Sequence, residues 1–239
     1  MHALLHKIPL LQANVEDLTV QGDGVEIPRF HLVPLEIPTS LPSMPSLVLR
    51  YGLVYMPPVF YVCMRRFDHL TRLVLQLTTF LSVHDLRRML DSLRNMKILA
   101  LSGTRWLPSK REHLPCTCLR PLRSRVRLEQ LEVDVEAEWV TDTRSIEFLD
   151  WLSTSGAISE VHCLRLAGLT LINKALVAAA SKILDAVQKP SKLRVVDLLF
   201  GPDIDLSPCE FLSSLAVFTA HAQWRQYTLL SPLFPKSII

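Results

Sequence analysis

A short unit, L-x-x-L-x-L, returns along this chain at near-constant intervals and constrains the fold more than any other feature. Leu47-Val48-Leu49-Arg50, Leu73-Val74-Leu75-Gln76 and Leu99-Ala100-Leu101-Ser102 superimpose without a gap at steps of 26 residues. Each has an apolar residue three positions upstream, at Met44, Leu70 and Met96. The unit recurs at Val15/Leu18/Val20, Leu128/Leu131/Val133, Val161/Leu164/Leu166 and Leu193/Val196/Leu198, and beyond Leu99 the steps lengthen to 32 or 33 residues. A period in this range is the signature of a repeat architecture, in which each unit is one supersecondary module.

Two apolar residues separated by one position face the same side of a strand and point inward. The chain must then cross back to begin the next parallel strand, usually through a helix. Helices are expected after Ser82, a plausible N-cap for Leu86, Met89, Leu90 and Leu93, and over Thr143 to Leu152 with Ile146, Phe148, Leu149 and Trp151 inward. Asn173 can cap a helix from Lys174 to Val187, and Ser207-Pro208-Cys209-Glu210 forms a capping box. A shorter helix is expected within Pro57 to Phe67, starting at the prolines. Gly22 to Pro45 holds five prolines and no helical face, so an extended loop is expected there. Stacked units bury together the apolar faces that one unit cannot bury alone. The expected fold is α/β: a leucine-rich-repeat solenoid of about seven units, with a curved parallel sheet on the concave side and helices outside. Residues 1–239 are read as a single domain, with repeats over about 15–218, a basic loop at 108–125 and a tail or C-terminal cap at 219–239.

Such a core accounts for the positive mean hydropathy of +0.25 without a membrane. The most apolar stretch, Leu47 to Cys63, is interrupted by Arg50 and by Pro57-Pro58, and no run long enough to span a bilayer is present. The N-terminus lacks the order of a signal peptide, since Lys7 follows Ala3-Leu4-Leu5. Five cysteines, an odd number, favour reduced thiols and a cytosolic or nuclear setting. A net charge of +3 is too small to argue for nucleic acid.

Catalytic chemistry finds little support. Cys116-Thr117-Cys118 beside His113 has no second ligand pair for structural zinc. His162 and Cys163 are adjacent on an expected strand, where successive side chains point to opposite faces and cannot act together. No G-x-S-x-G, Walker A or G-x-G-x-x-G occurs. No enzyme activity, cofactor or metal is therefore expected. Arg105 to Arg127 is strongly basic and the stretch from Glu129 to Glu138 acidic, which fits either a solvated insertion or a loop for an acidic partner. No aromatic platform for RNA or DNA accompanies it.

Ile8 to Val20 and Ser82 to Trp106, above all Leu93-Arg94-Asn95-Met96-Lys97-Ile98-Leu99-Ala100-Leu101-Ser102-Gly103, resemble the leucine-rich-repeat region of fungal F-box-like proteins. The resemblance covers roughly Ile8 to Leu215 and implies a domain that selects substrate proteins for a ubiquitin ligase. In that family an F-box ties the repeats to the ligase adaptor. Only Met1 to Asn14 precede the first unit here, so no adaptor binding is expected of this chain alone. At positions where many such repeats carry an asparagine ladder, this chain has Thr78 and Thr104, which can make weaker bonds to the turn.

The function expected is a non-enzymatic scaffold for an unknown protein partner. The alternative is a truncated or inactive remnant with a purely structural role. The candidate contacts are the residues between the inward leucines, which would point into the concavity: Arg50, Arg72, Gln76, Glu132, Asp134, Arg165 and Asp197. The competing possibility is that they form only a solvated sheet face.

Overall fold

The computed structural model describes residues 15–22, 33–54, 57–107, 126–134, 143–167, 174–187, 195–198 and 223–224. Among the described residues nine strands form one sheet, with every pairing parallel. They are β1 (Asp17–Gln21), β2 (Ser46–Val54), β3 (Arg72–Phe80), β4 (Ile98–Ser102), β5 (Arg105–Trp106), β6 (Gln130–Asp134), β7 (Cys163–Ala167), β8 (Val195–Leu198) and β9 (Gln223–Trp224). The order is β1-β2-β3-β4-β6-β7-β8-β9, with β5 pairing β3 off this path. The sheet is open, and apart from β5 the described strands lie side by side in chain order.

The repeat sets the register. Leu47 pairs with Leu73, Leu73 with Leu99, Leu99 with Leu131, Leu131 with Leu164 and Leu164 with Val196. A one-residue slip would turn every inward leucine to the other face, which is why the pattern fixes the pairing. Leu47, Leu73, Leu99, Leu131 and Leu164 are fully buried. Strands β3, β4, β6 and β7 are also entered in the same way. The carbonyl of Pro45 accepts from the amides of Thr71 and Arg72, that of Thr71 from Lys97 and Ile98, that of Lys97 from Glu129 and Gln130, and that of Glu129 from His162 and Cys163, at 2.7–3.3 Å.

Among the described residues five helices lie between strands: α1 (Val33–Ser40), α2 (Pro58–Met64), α3 (Val83–Ser92), α4 (Thr143–Ser155) and α5 (Lys174–Ala186). Successive helices touch, so they form a layer of their own beside the sheet. Ser82 caps α3 as its sequence suggests, its hydroxyl oxygen accepting from the Asp85 amide at 3.2 Å. Leu86, Met89, Leu90 and Leu93 are all buried, the stripe expected of a helix with one inward face. Between helices the contacts are mixed. Tyr61 of α2 donates to Asp85 at 3.0 Å, and Arg88 lies over the Tyr61 ring at 4.4 Å. Burial, followed by the Asp85 charge, pushes the Tyr61 hydroxyl well above its ordinary range. Phe80, Trp106, Phe148 and Trp151 form a chain of rings with centroids 5.8–6.2 Å apart, joining β3 and β5 to α4.

Two expectations need correction. Within the stretch read as an extended loop, Val33–Ser40 is helical despite Pro34 and Pro38. Pro34 lies in the first turn, where a missing amide hydrogen costs nothing. The prolines are themselves buried beside Val33 and Ile37, so the apolar face includes them. Thr78 was expected to bond to the turn. Instead it is fully buried and its hydroxyl finds no hydrogen-bond partner among the described residues.

The expected basic loop at 108–125 lies outside the described residues, as do Cys116, Cys118, Asn173 and the Ser207 capping box. Of the tail at 219–239, Gln223–Trp224 extends the sheet beside β8. Among the described residues no helix is long and apolar enough to cross a membrane.

A turn in the strand recurs at one position of the repeat. Tyr51, Leu77 and Gly103 follow the fourth residue of their units, and all three have left-handed backbone, at φ 54°, 51° and 59°. Beyond this corner β2 and β3 resume pairing through Gly52–Thr78, Leu53–Thr79 and Val54–Phe80, and β5 joins through Thr79–Arg105 and Phe80–Trp106.

Candidate functional site

The sheet face away from the leucines is ordered by the same register. One row across the strands reads Asp17, Ser46, Arg72, Ile98, Gln130, Cys163 and Val195. The next reads Thr19, Val48, Val74, Ala100, Glu132, Arg165 and Asp197. The third reads Gln21, Arg50, Gln76, Ser102, Asp134 and Ala167. Residues in one row stand about 4.8 Å apart along the sheet, the spacing of neighbouring strands.

Five of the seven residues singled out from sequence meet at one groove. Arg72 and Gln76 stand on one side of it, Glu132, Asp134 and Arg165 on the other, and the cavity between them is about 210 Å³. Its floor is small because β4 places Ala100 and Ser102 there. Arg50 lies outside this lining, one strand away beside Gln76 in register. Asp197 is the register partner of Arg165, and its side chain lies outside the described residues.

The Arg72 charge on this face is only loosely held. Arg72 reaches Asp17 at 3.5 Å, with both side chains about half exposed (44% and 63%), a geometry in which screening leaves little energy. Arg72 also donates to the Ser46 hydroxyl at a long 3.4 Å. Gln130 donates to the Glu132 carboxylate at 2.5 Å, which orients that carboxylate along the sheet. The Arg50 Nε is buried and finds no acceptor among the described residues. Burial, then the nearby Glu132 charge, pushes the Cys163 thiol above its ordinary range, the opposite of what a nucleophilic or metal-binding thiolate needs.

The face is less solvated than the sequence implies. Ser46, Val48 and Val74 are only 5–8% exposed although they alternate with the core leucines. Long neighbours in register, among them Arg50, Arg72 and Gln76, shade these short side chains. Val74, Ala100 and Ser102 alternate with the core leucines as sequence reasoning expects and shape the groove, but that reasoning passed over how deeply Val74 is buried. It also passed over Tyr51 and Leu77, which are 44% and 37% exposed. The signal for these two was Gly103, which stands at the same repeat position one step on and points to a left-handed corner.

Comparison with protein-family models and with curated proteins finds no match for the chain.

Proposed function

We propose that the chain is a leucine-rich-repeat solenoid that binds another protein on its concave sheet face and has no catalytic activity of its own. The supporting observation is the groove formed by Arg72, Gln76, Glu132, Asp134 and Arg165 over the small floor at Ala100 and Ser102. The sheet core does not require charged residues there, because the leucines on the other face carry the burial. A cavity of 210 Å³ is smaller than the ~300 Å³ at which pockets for small molecules usually begin, whereas a partner's side chain fits it. Arginine is enriched at the energetic centres of protein interfaces, and the carboxylates opposite would set the orientation of the partner. The likeness to F-box-type repeats agrees with this role and suggests a substrate protein as the partner.

The test is a pull-down from native lysate with three forms of the full chain. Wild type and Val62→Glu, a change at an exposed position of helix α2, are expected to retain the same protein. Arg72→Glu combined with Glu132→Lys is expected to lose it. Equal retention by all three forms, with circular dichroism showing each folded, would exclude the groove as the binding site.

A further inference from the structure

Tyr51 and Leu77 adjoin on neighbouring strands, flanked by the register pairs Arg50–Gln76 and Gly52–Thr78. Both hold a left-handed backbone, which costs a residue with a Cβ about 1–2 kcal/mol. Gly103 makes the same corner without that cost, and glycine also stands at this repeat position in sequence at Gly22 and Gly168. The corner therefore does not need a large side chain. Nor does the core account for one, because both side chains are substantially exposed. Strain maintained beside exposed apolar groups points to what those groups contact.

The surroundings say what kind of contact. β2 and β3 contain Arg50 and Arg72 and no Asp or Glu. The buried Arg50 Nε beside Tyr51 lacks an acceptor among the described residues. Of the carboxylates of the face, Asp17 on β1 lies against Arg72, and Glu132 and Asp134 lie on β6, beyond β4. An occupant of the corner thus meets an aromatic ring, an aliphatic side chain and the half-buried Arg50, which has no ion-pair partner among the described residues.

We infer that Tyr51, Leu77 and Arg50 form the anchor for a linear segment of the partner protein that carries an apolar residue next to an acidic one. The apolar residue packs on Tyr51 and Leu77. The carboxylate accepts from the Arg50 guanidinium, a charge-assisted bond stronger than a neutral one. A basic residue farther along the segment then lies toward Glu132 and Asp134, which fixes the direction in which it crosses the sheet. This inference rests on the protein-binding role proposed for the same face.

Its test is selection of a phage-displayed library of random linear peptides on the immobilised full chain. Enriched peptides are expected to pair an aliphatic or aromatic residue with Asp or Glu. By calorimetry such a peptide is expected to bind at least roughly tenfold more weakly to Tyr51→Gly/Leu77→Gly and to Arg50→Gln, the loss typical of interface hot spots. The glycine variant relieves the strained backbone, and its circular dichroism and urea midpoint separate lost binding from lost folding. Peptides that bind this variant normally but lose affinity on Glu132→Lys would overturn the anchor and leave the face as the binding site. Peptides indifferent to all of these changes would overturn both. Absence of enrichment, or enrichment without acidic residues, would also overturn the anchor. So would self-association that disappears in the double glycine variant, because the occupant would then be a second copy of the chain.

Discussion

Glycine at position 77 is expected to give a more stable protein than alanine there, against the usual order of those residues in a strand. Leu77 sits at φ 51°. Alanine and glycine both remove the leucine side chain, so the loss of its burial largely cancels between the two variants. What remains is backbone. Any residue with a Cβ costs about 1–2 kcal/mol in the left-handed region. Glycine instead loses about 0.5–1 kcal/mol more chain entropy than alanine on folding. The net preference is roughly 0.5–1 kcal/mol for Leu77→Gly over Leu77→Ala. At Gln76, one residue earlier and in the regular ladder, only the entropy difference applies, and alanine should be the more stable by a similar amount. Equilibrium unfolding in urea measures both pairs. With a slope of about 3 kcal/mol/M, the midpoints should separate by about 0.2–0.3 M and in opposite directions at the two sites. The same sign at both positions would refute the strained corner, and with it the reason for reading Tyr51 and Leu77 as more than packing.

Gly156 follows helix α4 at φ +76°, and a Cβ there would meet only the Arg127 Nη1 at an ordinary 3.8 Å, so Gly156→Ala should cost about 1 kcal/mol in urea unfolding through the backbone alone. Leu99→Ala, at a fully buried position, should cost about 2–5 kcal/mol, whereas Ala100→Ser on the groove floor should stay within about 0.5 kcal/mol. Partial burial and then the Arg88 and Arg87 charges hold the His84 pKa below 6.5. The unfolded chain therefore takes up a proton at His84 before the folded one does. Its contribution is present above pH 6.5 and is lost as pH falls below it, and a His84→Gln variant should show a flatter stability profile over that window.

The sheet was legible in the sequence because its cause is periodic. Leucines at Leu47, Leu73 and Leu99 in one spacing leave a single parallel register in which all of them are buried. Helix α3 was equally legible, since Ser82 and the stripe from Leu86 to Leu93 state both its start and its inward face. Helix α1 was not, because prolines there act as apolar surface, and their usual role as breakers misleads. Most of the charged rim of the groove could be read from alternation along the strands. Its small floor follows from the same alternation, which sets the short Ala100 and Ser102 between longer neighbours on β3 and β6. The extensions of β2 and β3 past the corner were not legible. At Tyr51 and Leu77 the strand turns through a backbone conformation that alternation does not describe.

Site-specific photo-crosslinking tests the central claim most directly. A benzophenone side chain replaces Gln76 or Ala100 on the sheet face, or Val62 on helix α2, in the full chain within its native cells. The result predicted is a protein adduct of one partner from Gln76 and Ala100 and none from Val62. Adducts from Val62 alone, or from neither surface, would contradict the assignment of binding to this sheet face.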